Sequence, residues 1–251
     1  MKIAFVSVRG IPNNYGGFEQ FAEYISVGLA ARGHEVVVYS PHYHTYQEKE
    51  FRGVKIKHVY SPEPWMGGSV GSFFYDFKCL KDALKNEKFD IIYEAGYTSI
   101  IPAYIWFNVK ARKDVIVTTN MDGLENKRSK FNAPTRKFLD WEEKMAVKHS
   151  HYLVADNMGI HDYYMEKYGK PSKFLAYGAD IHDDFDAEAP GKYGLKAGEY
   201  YLLIQKTECP PAQFNKVCNI LSEYAVSCKF NKGMDAFFSE HMEIIIADTA
   251  L

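Results

Sequence analysis

The first forty residues constrain the fold more than any other part of the chain. Residues 2–8 (KIAFVSV) are a β-rich run, and a glycine-bearing loop follows (RGIPNNYGG). Phe18, Phe21, Ala22, Ile25 and Leu29 then recur at the spacing of one helix face. Arg32-Gly33 stops that helix, because glycine suits the left-handed position after a helix end. Residues 35–40 (EVVVYS) read as a second strand. Strand, loop, helix and strand make a βαβ unit, which requires a parallel pair and a right-handed crossover.

The alternation continues for most of the chain. Strands are expected at 54–60, 89–93, 114–118, 152–155 and 173–176. Helices are expected at 73–84, where Phe73, Phe74, Phe77, Leu80 and Leu84 mark a stripe, and at 100–107, 135–148 and 160–168. This pattern predicts a doubly wound parallel α/β sheet over residues 1–180. Residues 182–190 (HDDFDAEAP) are acidic and poor in core residues, so 181–199 read as a linker. Residues 200–204 (YYLLI) look like the first strand of another α/β unit. The following 47 residues are too few for a second nucleotide-binding domain, so 200–251 read as a short, incomplete second portion. Within it, 215–225 and 234–241 could be short helices and 243–247 a strand.

Composition narrows the function classes. Thirty Lys and Arg against 32 Asp and Glu leave a net charge of −2, which argues against a generic nucleic-acid binder. No apolar run is long enough for a spanning helix, and Arg9-Gly10 ends the N-terminal run too soon for a signal peptide. Cys79, Cys209, Cys218 and Cys228 make no CxxC pair, so reduced thiols and a cytoplasmic setting are expected. His42 and His44 lack a third partner at metal-ligand spacing, and no metal is expected.

The loop after the first strand carries the most chemistry. Ligands of doubly wound sheets sit outside the carboxyl ends of the strands. Gly16-Gly17 at a helix start lets the backbone approach a ligand, and the free N–H groups favour an anion. Arg9 adds a fork suited to phosphate or carboxylate. A tight turn with glycines for packing alone is the alternative. The spacing is not GxGxxG and no acidic residue ends the second strand, so dinucleotide binding is disfavoured.

The run RGIPNNYGGFEQFAEYISVGLAARGHEVVVYSP resembles the start of GT-B glycosyltransferases of the family 4 kind, in particular a bacterial rhamnosyltransferase-like branch. Gly96-Tyr97-Thr98, residues 120–128 (NMDGLENKR), residues 155–160 (ADNMGI) and Tyr177-Gly178-Ala179-Asp180 fit the same branch in the same order. The resemblance covers roughly residues 1–204.

The resemblance implies retaining transfer of a sugar from a nucleotide sugar, dTDP-rhamnose, to a glycan or lipid-linked acceptor in surface polysaccharide synthesis. No cofactor or metal is implied, because helix dipoles and basic groups stabilise the leaving diphosphate. Arg9, Tyr15, Gly16, Gly17, Phe18, Glu19, Tyr97, Asn120, Lys127 and Arg128 are the implied substrate- and diphosphate-binding residues. Asp122 and Asp156, each just past a strand, are the implied catalytic carboxylates, with a helix cap or turn as the alternative role for each. Tyr97 could stack on a sugar or pack its own loop.

The resemblance also implies a Glu-x7-Glu pair in a donor-binding half, and none occurs after Ile204. A non-catalytic acceptor-binding fragment is therefore the second reading. Such a half would expose an apolar face and self-associate. Residues 126–149 interleave Lys127, Arg128, Lys130, Arg136, Lys137, Lys144 and Lys148 with Phe131, Phe138, Leu139, Trp141 and Met145, which suits peripheral contact with an anionic membrane. Asp140, Glu142 and Glu143 offset that charge in the sequence.

Overall fold

The computed structural model describes residues 1–14, 16–121, 123–124, 132–178, 188, 191, 200–206, 227–230 and 242–248. The chain divides into two compact units, Met1–Gly178 and Ala179–Leu251.

The first unit is the expected doubly wound sheet. In chain order it runs β1 (Lys2–Val6), α1 (Gly17–Ala31), β2 (Glu35–Pro41), β3 (Glu50–Phe51), β4 (Val54–Val59), α2 (Glu63–Met66), α3 (Gly68–Lys85), β5 (Ile91–Glu94), α4 (Ile101–Trp106), β6 (Ile116–Asn120), α5 (Ala133–His149), β7 (Tyr152–Ala155), α6 (Met158–Tyr168) and β8 (Ser172–Phe174). The strand order is β3-β4-β2-β1-β5-β6-β7-β8, and every pairing is parallel except that of the two-residue β3 with β4. The sequence pattern found the long elements and missed β3 and α2, which are shorter than one period of either pattern.

Right-handed crossovers put α1 alone on one face and α3 to α6 on the other. Two buried clusters reflect this. Ala4, Val6, Ile92, Val117 and Leu153 meet Tyr75, Leu80, Tyr104, Ala146 and Tyr164 on the four-helix face. Ile3, Phe5, Val36, Val38, Tyr93 and Val154 meet Ala22 and the half-buried Phe18, Phe21 and Leu29 on the other. One helix cannot cover that second face. An apolar groove of about 850 Å³ remains beside it, lined among others by Phe5, Phe21, Ile25, Tyr93, Tyr152 and Phe174.

Two expected faces are corrected. The deeply buried positions of α1 are Glu19, Ala22 and Ser26, while Ile25 is exposed over the groove. Small residues let the helix approach the strands, and the aromatic side of the stripe overhangs. On α3, Tyr75, Cys79, Leu80 and Ala83 face inward and Phe74 faces solvent. Gly33 follows α1 at φ +82 and donates its N–H to Ala30 O at 2.9 Å, which is the left-handed stop that the sequence implied.

The described strands of the second unit are β9 (Tyr200–Lys206), β10 (Ser227–Phe230) and β11 (Met242–Asp248). They form an antiparallel sheet in the order β10-β11-β9. The strand at 200 therefore does not open another parallel α/β unit. The helices expected at 215–225 and 234–241 lie outside the described residues.

Candidate functional site

The chain leaves β1 toward β2, and later returns to place β5 on the other side of β1. The loops after β1 and β5 therefore diverge at the carboxyl edge, and the crevice between them is where such sheets take ligands. Ser7, at φ 58, turns the chain out of β1. Gly10 follows at φ +96, where a Cβ would stand 2.4 Å from Ser40 Oγ. A side chain at position 10 is excluded both by conformation and by the end of β2.

This turn delivers α1 to the crevice with its N-terminus open. Gly16 is the extended N-cap residue and has no side chain to cap with. The Asn13 carboxamide accepts the Gly16 N–H at 3.2 Å, one position before the helix. Gly17 begins the helix in open space, where a Cβ would meet nothing within 4 Å. Phe18 closes the rim, lying 3.6 Å from where a Gly96 Cβ would be and so touching the β5 loop. Uncapped N–H groups and the positive end of a helix dipole favour an anion there.

Beside this terminus lies an ion-paired network. The Arg9 guanidinium meets Glu63 Oε1 at 2.7 Å and donates to Ser72 Oγ at 2.9 Å. Ser72 also donates to Glu63 Oε1, and the Tyr43 hydroxyl donates to Glu63 Oε2. Gly71 makes the arrangement possible, because a Cβ there would stand 2.5 Å from Glu63 Cα. Burial alone would lower the arginine pKa, but the fields of Asp76 and Glu63 raise it. Burial, then the bond to Glu63, pushes the Tyr43 phenol up. Arg9, Asn14, Tyr43, His44, Glu63, Pro64 and Gly68 line a cavity of about 340 Å³.

Under the crevice sits a second pair of carboxyls. Asp76 is buried and pushed up to about 6 by desolvation, against the pull of Arg9 and of the Ser99 hydroxyl that donates to it. Glu94, the last residue of β5, is buried without a geometrically sound partner for either oxygen. Desolvation, then Asp76, raises its pKa well above the carboxylate range. Ser7 Oγ, Asp76 Oδ1 and Asn120 Oδ1 are likewise buried without partners. Unsatisfied polar atoms beneath the carboxyl ends of β1, β5 and β6 cost stability, which makes this floor a candidate site.

The sequence-derived residues distribute as follows. Arg9, Gly16, Gly17 and Phe18 meet at the crevice. Glu19 is buried, and its carboxylate accepts the Arg9 backbone N–H at 2.8 Å, so it shapes the loop. Tyr97 is buried, with its hydroxyl on Gly123 O at 3.4 Å. No ring face is offered to a sugar, so of its two roles the structure shows the packing one. Asn120 ends β6 and donates to the Tyr177 hydroxyl at 3.4 Å. The Tyr177 ring packs 5.1 Å from that of Phe21.

Asp156 is half-buried beyond β7. The cap of α6 is Asn157, which accepts the Ile160 N–H at 2.9 Å and leaves Asp156 off capping duty. Tyr15, Asp122, Lys127 and Arg128 lie outside the described residues. His42 and His44 each accept a backbone N–H, from Ser61 and Tyr46 respectively, at 3.1 Å. Sequence reasoning missed Tyr43, Glu63, Ser72, Asp76 and Glu94. Only Glu94 carried a signal, as a carboxylate closing an otherwise apolar strand.

The fold is a Rossmann-like α/β sheet with a crevice at its carboxyl edge. The chain belongs to the family described as a domain of unknown function (DUF1972), whose model matches residues 1–180. Residues 192–251 match a different family, described as negative regulator of genetic competence (MecA). Among solved structures, a fragment of sucrose-phosphate synthase from Thermosynechococcus elongatus is similar at 11% identity with a TM-score of 0.44, over 72% of this chain and 91% of that one. No curated protein matches the chain.

Proposed function

We propose that residues 1–178 form the acceptor-side half of a GT-B type glycosyltransferase, with the crevice between the β1 and β5 loops as its reaction face. The observation that carries this reading is the open N-terminus of α1, where Gly16 and Gly17 leave backbone donors uncovered at the carboxyl edge of the sheet. A leaving nucleoside diphosphate is the anion that such a terminus stabilises as charge develops on it. The order of sequence motifs supports the same reading, and it gives dTDP-rhamnose as the donor and a glycan or lipid-linked acceptor.

In this mechanism the α1 N-terminus faces the diphosphate. Glu63 holds the Arg9 fork in place, so the guanidinium contributes field rather than a free hand. Asp156 orients an acceptor or donor hydroxyl from the end of β7, and Asp122, Lys127 and Arg128 keep the roles that the sequence resemblance implies. Burial raises the Glu94 carboxyl well above its ordinary value, which disfavours a second negative charge beside Asp76, whose own charge Arg9 offsets. The departing anion is therefore not repelled from below.

A second reading is favoured by the tail. Residues 192–251 are similar to a family other than a sugar-nucleotide enzyme, and the described strands there are antiparallel. A binding module that retains an acceptor face, and associates through the groove beside α1, fits those facts. Calorimetric titration of the full chain with dTDP-rhamnose, with dTDP and UDP as controls, separates the two. Micromolar binding of the dTDP ligands supports transfer. Absence of binding by a folded chain assigns the binding module, and light scattering then tests its self-association.

A further inference from the structure

Part of the aromatic stripe of α3 that sequence periodicity assigns to the core reaches the surface, with Phe73 and Phe77 half-buried. Phe74 is 51% exposed and Trp106, at the end of α4, is 76% exposed. Val70, Ile105, Phe138 and Trp141 are exposed as well. Phe73 and Phe77 link the exposed rings of Phe74, Trp106, Phe138 and Trp141. The ring of Phe73 lies 6.3 Å from Phe138, which stacks 5.7 Å from Trp141. Phe77 lies 6.4 Å from Trp106. Between α3 and α4 the rings of Phe73, Phe74 and Phe77 line an apolar cleft of about 350 Å³ with Pro102 and Ala103. Isolated exposed apolar residues are ordinary in folded proteins, but a contiguous aromatic patch is not.

The charge around this patch is positive, and the structure explains why the sequence understates it. Of the three acids on α5 that offset its cations, Glu142 and Glu143 are buried. Burial pushes Glu142 up to about 8, which leaves it protonated at neutral pH. Glu143 is taken up by Lys167 at 2.7 Å and by the hydroxyls of Tyr163 and Tyr168 at 3.0 and 2.6 Å. Asp140 alone remains on the exposed side of α5, against Arg136, Lys137, Lys144 and Lys148. Lys78, Lys81 and Lys85 stand exposed along α3. The Lys85 ammonium lies 5.9 Å from the Phe107 ring, which itself packs 5.1 Å from Phe77.

We propose that this face of α3, α4 and α5 docks on an anionic lipid bilayer. Trp106, Phe74, Phe138 and Trp141 enter the headgroup–acyl boundary, and the lysines and arginine rest over the anionic headgroups. Aromatic rings with basic neighbours are the chemistry that this boundary selects. The proposal goes beyond the sugar-transfer reading and stands or falls separately from it.

The test uses the full chain with phosphatidylcholine vesicles, with and without phosphatidylglycerol. Its only tryptophans are Trp65, Trp106 and Trp141. In a variant that retains Trp106 alone, anionic vesicles are expected to shift emission to the blue and reduce acrylamide quenching. A variant that retains Trp65 alone is expected to show neither change. Each of Lys81→Gln and Lys85→Gln is expected to weaken vesicle partitioning about five-fold, and added salt to weaken it further. Trp106→Ala is expected to weaken it at least about ten-fold with an unchanged melting curve.

Three results overturn the proposal. One is a normally folded chain that ignores anionic vesicles. Another is equal binding to zwitterionic vesicles with no effect of the lysine variants. The third is a Trp106 signal produced by single-stranded RNA and not by vesicles.

Discussion

Glu142 provides a direct test of how this fold treats charge. Its carboxyl is buried on α5 with no hydrogen-bond partner for either oxygen, and desolvation raises it from 4.5 to about 8. Glu142→Gln keeps the shape of the protonated acid and removes the titration. The folded pKa lies above the unfolded one, so the unfolded chain gives up the proton first. Wild-type stability therefore falls as pH rises from about 4.5 to about 8, while the variant lacks that slope. At about 1.36 kcal/mol per factor of ten, the ceiling is near 5 kcal/mol above pH 8, and side-chain relaxation reduces the expected gain to about 2–3 kcal/mol. At pH 5, about half a unit above the unfolded value, the linkage leaves the two proteins within about 1 kcal/mol of each other. Asp76 and Glu94 contribute the same sign of slope to both chains and cancel in the difference. Urea unfolding followed by tryptophan fluorescence at pH 5 and 8.5 measures it, and all three tryptophans report on the first unit. A gain of equal size at both pH values, or a loss at pH 8.5, would refute the reasoning.

Three further outcomes are expected. Gly17→Asp has open space for its side chain and places an acid in the first turn of α1. It should raise stability by about 0.3–1 kcal/mol while weakening dTDP-rhamnose binding at least about ten-fold in calorimetry. Gly71→Ala should gain up to about 1 kcal/mol of helix propensity, yet be destabilised overall by about 2 kcal/mol or more in urea unfolding, because the new methyl meets the Glu63 backbone. Asn157→Ala removes the cap of α6 and should cost about 1 kcal/mol in the same assay.

Period and punctuation made the sheet legible from the sequence. The run of apolar strands, the glycine after α1 and the alternation with helices are local signals, and each long element arose near its expected position. The direction in which α1 and α3 turn their stripes was not legible. Phe74 and Ile25 sit where periodicity alone would put core residues, and only the packing partner decides which side of a helix is inside. Arg9 and the paired glycines were legible because loop position and residue type coincide there. Glu63 and Asp76 were not, because they reach Arg9 from α2 and α3, and no local pattern records a contact across more than fifty residues. Glu142 and Glu143 show the same limit for charge, since a count along the chain cannot tell which acids have left the surface.

The uneven dressing of the sheet has a consequence for its breathing. Four helices shield one face, while α1 shields only part of the other, so the three-residue edge strand β8 and Tyr152 at the start of β7 stand open beside the groove. Their amide protons should trade with deuterium well before those of β1 and β2. The strand ladder then opens from the β8 edge inward, and the crevice at β1 and β5, near the middle of the ladder, is the last part of the sheet to loosen.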